Sequence, residues 1–235
     1  MAKQKFDEAE KAAIASTEEK LQSLEQSLTK TEMYIEENKN SLMVIVLAVI
    51  VLFGGYYAYQ GLVVKPKAID AQNAIFTAED YFKNGKFELA LNGDGQDDGF
   101  IAIAEDYSGT PAGNLANAYA GLAYAKQGDF TNAIDYLENY SSKSLSIAPM
   151  VKSALASAYA ETGELEKALS TYEEAAKMND NKFTTPVILT KAAVIADKLG
   201  NAEKAKSLYQ KVADNYKNSN EGQNALKMLA KYGVY

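Results

Sequence analysis

The sequence predicts an all-α protein, and three patterns carry that prediction. An unbroken apolar run occupies residues 42–59, a charged segment with helically spaced apolar residues precedes it, and glycine-centred units repeat after it. Each pattern is typical of helices. We expect an N-terminal amphipathic helix, one transmembrane helix, and an α-solenoid of about four helix pairs with a C-terminal capping helix.

The N-terminal arm, residues 1–40, contains six lysines and nine acidic residues. Its apolar stripe consists of Ile14, Leu21, Leu24, Leu28 and Ile35. Most of these residues are spaced by seven, which places them on one face of a helix. The alternate seam positions are Thr17, Thr31 and Asn38, and their polarity weakens a coiled coil. The pattern favours a single amphipathic helix that docks on a partner or stays partly solvated, with a dimeric coiled coil as the alternative.

The apolar run LMVIVLAVIVLFGGYYAY, residues 42–59, is long enough to cross a membrane. Its residues in a helix would extend about 27 Å, close to the ~30 Å hydrocarbon core of a bilayer. A cleaved signal peptide would begin nearer the start of the chain, and a core helix or an interfacial helix would carry a polar stripe. Tyr56, Tyr57 and Tyr59 suit the headgroup level. We predict a transmembrane helix over residues 41–64.

Composition excludes several classes of function. The chain has 235 residues, a formal net charge of -7, and no Cys, His, Trp or Arg. Without Cys and His, the usual zinc sites, thiol nucleophiles and imidazole catalysis are missing. An acidic chain without arginine suits neither phosphate nor nucleic-acid binding, and the glycine-rich nucleotide motifs are absent from the sequence. We predict no catalytic residue, no metal site, no cofactor and no nucleic-acid partner.

The region after the apolar run repeats around Gly85, Gly128, Gly163 and Gly200. Small and aromatic residues recur around these glycines: Ala78, Tyr81, Phe87 and Ala90; then Gly121, Tyr124, Phe130, Ala133 and Leu137; then Ala156, Tyr159, Leu165, Ala168, Tyr172 and Ala175; then Ala193, Ala196, Ala202, Ala205, Tyr209 and Val212. This pattern resembles the tetratricopeptide repeat, an antiparallel helix pair with small residues at the crossing and a glycine in the turn. We expect the repeat domain over residues 65–235, closed by an amphipathic helix over residues 220–232.

The first unit is interrupted by NGDGQDDG, residues 92–99, which cannot remain helical. The residues that fit the calcium-loop pattern D-x-[DN]-x-[DN]-G-x5-E are Asp94, Asp98, Gly99 and Glu105. Gln96 replaces one ligand of that pattern. We interpret the segment as a solvated turn between helices, with calcium binding as the alternative.

The block YIEENKNSLMVIVLAVIVLFGGYYAYQ, residues 34–60, together with the polar arm and the degenerate repeats, resembles the YfgM family. The repeats are also similar to those of envelope tetratricopeptide proteins of Gram-negative bacteria. The resemblance implies a single-pass protein of the bacterial inner membrane, with its N-terminus in the cytoplasm and its repeats in the periplasm. It further implies association with the Sec translocon and with a membrane-bound periplasmic chaperone.

The lysines that flank the apolar run do not predict which end of the transmembrane helix faces the cytoplasm. Lys30 and Lys39 precede the run, and Lys65 and Lys67 follow it, so neither side has an excess of lysine. The expected orientation therefore rests on the resemblance.

By repeat register, one face of the first helix of each pair lines a concave groove. The candidate partner-binding residues are Leu115, Ala118, Leu122, Ala125, Ser153, Ser157, Ala160, Thr190 and Val194, and the same register includes Lys126, Met150, Glu161, Val187, Asp197 and Lys198. Ala118 and Leu122 stand where repeats that clamp a C-terminal carboxylate carry Lys and Asn, which disfavours such capture. An apolar trough suits an extended segment or a partner helix. Alternatively, these residues pack against neighbouring helices.

Two functions follow from these features and the resemblance. The favoured one is a non-enzymatic, membrane-anchored scaffold for protein–protein interaction, an accessory of the Sec translocon that links it to periplasmic chaperones or emerging clients. The alternative is a cell-envelope assembly scaffold that contacts outer-membrane or cell-wall machinery.

Overall fold

The computed structural model describes the backbone of residues 2–142 and 144–234, and the side chains of residues 20, 21, 29, 32–142 and 144–234. All regular elements in these residues are helices. In chain order they are α1 (Ala2–Tyr59), a π-helical segment (Gln60–Val64), α2 (Lys65–Lys83), α3 (Phe87–Asn92), α4 (Phe100–Asp106), α5 (Pro111–Gln127), α6 (Phe130–Asn139), α7 (Ala148–Glu161), α8 (Leu165–Met178), α9 (Thr185–Lys198), α10 (Ala202–Asn215) and α11 (Asn220–Lys231). The chain forms two compact units, Met1–Val63 and Val64–Tyr235.

The first unit is dominated by α1, a single helix of 58 residues that contains both the arm and the apolar run. The helical stretch Glu32–Lys83 includes an 18-residue window with a mean hydropathy of 2.3, none of which is buried. By length and composition, this stretch can therefore cross a membrane.

Two members of the predicted stripe of the arm have described side chains. Leu21 and Ile35 are both exposed, and Asn38 donates a side-chain hydrogen bond to the carbonyl of Tyr34 at 2.9 Å. The remaining stripe and seam positions, Ile14, Thr17, Leu24, Leu28 and Thr31, lie outside the described side chains.

The second unit is a solenoid of helix pairs. Its pairs are α2 with the two short helices α3 and α4, α5 with α6, α7 with α8, and α9 with α10. Helix α11 packs against α9 and α10 and covers the C-terminal end. This arrangement confirms the predicted α-solenoid of four pairs with a capping helix, and the NGDGQDDG segment separates α3 from α4 as predicted.

The turn within each pair depends on its glycine. Gly85, Gly128, Gly163 and Gly200 have φ angles of 74°, 82°, 85° and 73°. A Cβ at any of these positions would meet no atom within 4 Å, so the requirement is conformational rather than steric. In the third pair, the N–H of Glu164 donates to the carbonyl of Tyr159 at 2.8 Å, which closes a Schellman-type cap. The predicted role of the glycines is confirmed.

Proline marks the start of each pair. The chain has four prolines, and each one lies in the first turn of the first helix of a pair: Pro66 in α2, Pro111 in α5, Pro149 in α7 and Pro186 in α9. In α5, α7 and α9, which begin after turns, the N–H groups of the first turn have no partner in the helix, so proline costs no hydrogen bond and its fixed φ favours the helix. Pro66 instead follows the π-helical segment directly, at the point where α2 begins.

Small residues lie where the helices cross. Ala168 and Ala205 are completely buried within the core cluster of the last two pairs. A Cβ on Gly121 would lie 2.5 Å from Leu137 Cγ, so only glycine permits the observed approach of α5 and α6. Tyr172 and Tyr209 are buried beside these crossings and fill the space between helices.

Tyrosine–carboxylate hydrogen bonds connect successive parts of the solenoid. The hydroxyl of Tyr159 donates to Glu138, that of Tyr216 to Asp180, and that of Tyr232 to Asp197. Burial and the neighbouring carboxylate raise the pKa of each of these three tyrosines to about 12. The hydroxyls therefore remain protonated donors across the neutral range.

Candidate partner-binding groove

Two adjacent depressions lie on the surface formed by α5, α7 and α9. The first has a volume of 420 Å³ and is lined by Leu122, Ala125, Lys126, Phe130, Met150, Ser153, Ala154, Ser157, Ala158, Phe183, Thr184, Val187, Ile188 and Lys191. The second has a volume of 280 Å³ and is lined by Ser157, Ala160, Glu161, Tyr172, Thr190, Lys191, Val194, Ile195 and Lys198. They share Ser157 and Lys191, and together they are called the groove below.

The groove exposes apolar side chains to solvent. Phe183, at the edge of the first depression, is 87% exposed, and Met150 is 57% exposed. Val187 and Val194, one in each depression, are about half as exposed as Phe183. Because isolated exposed apolar residues are common but contiguous ones mark contact surfaces, these side chains indicate a surface that another molecule covers.

A polar cluster forms the junction of the two depressions. Ser157 Oγ donates to the carbonyl of Ser153 at 3.0 Å and lies 2.6 Å from the hydroxyl oxygen of Tyr172. Lys191 Nζ donates to Ser157 Oγ at 3.4 Å and lies 6.0 Å from the centroid of the Tyr172 ring. Burial raises the pKa of the Tyr172 hydroxyl. The cluster places the Lys191 ammonium group where the two depressions meet.

The groove is positively charged although the chain as a whole carries a net charge of -7. Lys126, Lys191 and Lys198 line it, and Glu161 is the acidic residue beside them. Within the described residues, none of these three lysines forms an ion pair with a carboxylate of the chain. Their ammonium groups are therefore available to an acidic ligand.

One hydroxyl in the second depression lacks a partner. Thr190 Oγ1 is shielded from solvent, and no hydrogen-bond partner for it is found in the part of the chain that the structure describes. An unpaired buried hydroxyl costs the fold about 1–3 kcal/mol of stability.

Comparisons with known proteins agree with this architecture. Residues 32–231 match the family described as the tetratricopeptide repeat-like domain. The chain belongs to this family. Its fold is also similar to two crystal structures of TPR-like repeats from a protein described as a kinesin light chain of Podosopora anserina, one of them a variant with a single substitution. Each has a TM-score of 0.53 and 16% sequence identity, and the match covers 70% of this chain and 85% of theirs.

At that identity the structural likeness shows the fold alone. The comparison with curated protein sequences finds no match. Tetratricopeptide repeats are typically non-catalytic interaction modules, so family membership supports a scaffold for protein–protein interaction.

Most residues predicted to line the tetratricopeptide groove fall within it. Leu122, Ala125 and Ser153 line the first depression, Ala160, Thr190 and Val194 line the second, and Ser157 lines both. Leu115 and Ala118 lie outside both depressions. Ala118 is 2% exposed and packs with Ala133, Leu137, Val151 and Ala158, while Leu115 is half-buried between the same cluster and that of the first pair.

Of the further residues that share this register, all but one also line the groove. Lys126, Met150, Glu161, Val187 and Lys198 belong to it. Asp197 instead accepts the hydroxyl hydrogen bond of Tyr232 and ties α9 to the residue after α11. Its carboxylate is therefore part of the solenoid's internal packing.

Two important groove residues were not predicted from the sequence. Phe183 precedes α9 in a loop, outside any helical register, and Lys191 occupies a first-helix position outside the expected face. A signal for Phe183 exists in the sequence, since it is a large aromatic residue among the polar residues of NDNKFTTP. The position of Lys191 depends on how α7 and α9 pack, which the periodicity does not specify.

The loop at residues 92–99 is organised by hydrogen bonds within the chain. Asp94 Oδ1 accepts backbone N–H bonds from Gln96 at 2.9 Å and Asp97 at 2.8 Å, and Asp94 Oδ2 accepts the Tyr81 hydroxyl at 2.8 Å. In the described residues, no group of three or more acidic side chains is placed to hold a metal ion. These contacts support the interpretation of the segment as a turn between helices.

Proposed function

We propose that the chain is a membrane-anchored scaffold whose groove binds a polypeptide segment, either extended or helical. The observation that carries the proposal is the groove itself: the exposed side chains of Phe183, Met150 and Val187 line one depression together with Lys191. Apolar walls supply affinity, and a few polar groups fix the orientation of a bound segment.

The groove proposal is tested by a pair of matched variants. Val187→Asp places a charge on the groove in the first turn of α9, where an acidic residue suits the helix dipole. Ser170→Asp adds the same charge to the exposed surface of α8. We expect Val187→Asp to retain about tenfold less co-purifying polypeptide, because a bound segment would bury the new charge, while Ser170→Asp retains it in full. Equal retention by both variants would contradict binding in the groove.

The anchor is proposed to be the transmembrane helix of residues 41–64, with the repeat domain following as residues 65–235. The length and hydropathy of the apolar run in α1 support this proposal. Extraction with alkaline carbonate releases peripheral proteins but not spanning ones. We expect the full chain to remain in the membrane pellet, and its release into the supernatant would rule out a spanning helix.

The cellular setting is proposed from the resemblance of residues 34–60 and of the overall layout to the YfgM family. The chain is then a bacterial inner-membrane protein, with a cytoplasmic N-terminus and periplasmic repeats, that works beside the Sec translocon and a periplasmic chaperone. The absence of cysteine permits a clean test. Asp97→Cys should react with an impermeant maleimide once the outer membrane is permeabilised, and Ser16→Cys should not. The reverse labelling would place the repeats in the cytoplasm.

A second candidate is an envelope-assembly scaffold that contacts outer-membrane or cell-wall machinery. It shares the groove but assigns no specific role to the transmembrane helix. Replacing residues 42–59 with an unrelated spanning sequence separates the two candidates. Loss of translocon subunits from the purified complex favours the Sec accessory, and an unchanged set of partners favours envelope assembly.

A further inference from the structure

Helix α9 carries an exposed stripe of alternating valine and lysine that spans both depressions of the groove. Its members are Val187, Lys191, Val194 and Lys198, which follow one another by four, three and four residues. At 100° per residue, they lie within an arc of about 60° on the helix. The opposite side of α9 is buried in the solenoid and consists of Ile188, Leu189, Ala192, Ala193, Ile195 and Ala196. Helix α9 is therefore packed on one side and presents further apolar side chains on the other.

The stripe has the spacing of a coiled-coil seam. Written as a heptad, Val187 and Val194 occupy d positions, and Lys191 and Lys198 occupy a positions. Apolar residues at d supply contact area for a second helix, whereas a lysine at a restricts which partner is accepted. The four residues extend over about 16 Å of helix axis, which matches two heptads of another helix.

The neighbouring helix α7 leaves space beside this seam. Counted back from the turn glycine of each pair, the positions of α7 equivalent to Lys191 and Val194 hold Ala154 and Ser157. Both are half-buried and line the groove. Because the distance between packed helices depends on the side chains at the contact, small residues here let a second helix approach α9 from the groove.

We propose that this seam binds an amphipathic helix of another polypeptide, whose own seam alternates apolar and acidic residues. The inference rests on the proposed function, since it names the chemistry of the segment that the groove binds. The acidic residues of the partner face Lys191 and Lys198, and its apolar residues face Val187 and Val194. Within the described residues, neither lysine forms an ion pair with a carboxylate of the chain, so a partner can supply one to each.

Charge complementarity selects this partner over a second copy of the chain. Two α9 helices in parallel would set each lysine against its own counterpart, and like charges repel. Two antiparallel α9 helices would set each lysine against a valine and leave the ammonium groups without an acidic partner. A seam with acidic residues satisfies both lysines in either direction, at its a positions in a parallel pair and at its d positions in an antiparallel one.

Designed peptides of three heptads test the inference with the full chain solubilised in detergent. One peptide carries Glu at a and Leu at d, a second carries Glu at d and Leu at a, and each has a counterpart in which Lys replaces Glu. We expect one of the Glu peptides to bind about tenfold more tightly than its Lys counterpart, because two charge contacts change from attractive to repulsive. Fluorescence anisotropy of the labelled peptides measures the ratio, and the peptide that binds reports the direction of the pair.

Charge reversal in the chain supplies the matched controls. Lys191→Glu combined with Lys198→Glu is expected to reverse the preference, so that the Lys peptide binds more tightly. Lys177→Glu combined with Lys211→Glu makes the same charge change on the exposed surfaces of α8 and α10, and this variant should keep the preference for Glu.

Binding of neither Glu peptide, equal binding of the Glu and Lys peptides, or a preference that survives charge reversal of the seam would overturn the inference. Its failure is distinguishable from failure of the proposed function. If Val187→Asp still reduces the co-purifying polypeptide while the peptides show no preference, the groove binds polypeptide of another chemistry. In that case the inference fails and the proposed function stands.

Discussion

The hydroxyl of Tyr81 donates a hydrogen bond to Asp94 Oδ2 at 2.8 Å and so ties α2 to the loop that separates α3 from α4. The backbone N–H groups of Asp97 and Gln96 donate to the other oxygen of the same carboxylate. These two backbone bonds, followed by the Tyr81 bond, lower the pKa of Asp94 to about 2. The charged form of Asp94 therefore holds the interrupted helix of the first pair in place.

The Asp94 network predicts a pH-dependent contribution to stability. A carboxyl group whose pKa is lower in the folded state than in the unfolded state stabilises the fold above the unfolded value, near pH 4, and loses this effect as the pH falls toward 2. Asp94→Asn keeps the shape but not the charge. The difference in urea midpoint between wild type and Asp94→Asn should be largest near pH 7 and should shrink between pH 4 and 2. A difference that stays constant over that range would contradict the role of the charge.

The turn glycine of the third pair provides a test of backbone conformation. Gly163 has a φ of 85°, and a Cβ there would meet no atom within 4 Å. Gly163→Ala should therefore cost about 1–2 kcal/mol of unfolding free energy through the left-handed conformation alone. Gly163→Asn should cost less, because asparagine adopts this conformation more readily. Chemical denaturation of both variants checks the order, and an alanine variant as stable as wild type would contradict it.

Overpacking at the helix crossings should lower the free energy of unfolding and should loosen mainly the altered helix pair. Ala168 and Ala205 are completely buried. Ala168→Leu or Ala205→Leu should each destabilise the fold by about 1–3 kcal/mol, since extra methyl groups force the helices apart. Because each pair contacts only its neighbours, hydrogen exchange should rise mainly around the altered pair. A uniform rise across residues 65–234 would contradict a solenoid with nearest-neighbour coupling.

Alkaline unfolding should depend on the tyrosine–carboxylate pairs. In the folded state the pKa of Tyr159, Tyr216 and Tyr232 is about 12, whereas the value in an unfolded chain is near 10. Their contribution is complete below pH 10 and is lost as the pH rises toward 12, because the unfolded state releases these protons first. Tyr216→Phe should reduce the slope of stability against pH in this range. An unchanged slope would show that Tyr216 does not carry the effect.

The fold was predictable because its strongest determinants are local. A glycine with positive φ is needed at each turn. The regular spacing of glycines in the sequence predicts these turns at Gly85, Gly128, Gly163 and Gly200. The break between α3 and α4 was also evident, since residues 92–99 combine glycine, asparagine and aspartate. The prolines at the starts of α2, α5, α7 and α9 carry equally local information, and they mark each pair independently of the glycines.

The groove was predictable only in part because its limits depend on packing between pairs. Ala118 lies on the same face of α5 as Leu122. It is nevertheless buried against α6 and α7, so it cannot contact a ligand in the groove. Lys191 in α9 donates a hydrogen bond to Ser157 in α7, and the two residues are 34 positions apart in sequence. The bond from Tyr216 to Asp180 spans 36 positions. Periodicity describes the faces of one helix, and none of these contacts is a property of one helix.

Site-specific photocrosslinking tests the central claim, that the groove binds a polypeptide, most directly. A photoreactive amino acid at Met150, inside the groove, should give discrete adducts with one or a few polypeptides in intact cells, and the same residue at Glu166 on α8 should not. Adding Val187→Asp to the Met150 variant should remove the adducts, because it charges the same depression. Equal adducts from Glu166, or Met150 adducts that persist with Val187→Asp, would contradict the account.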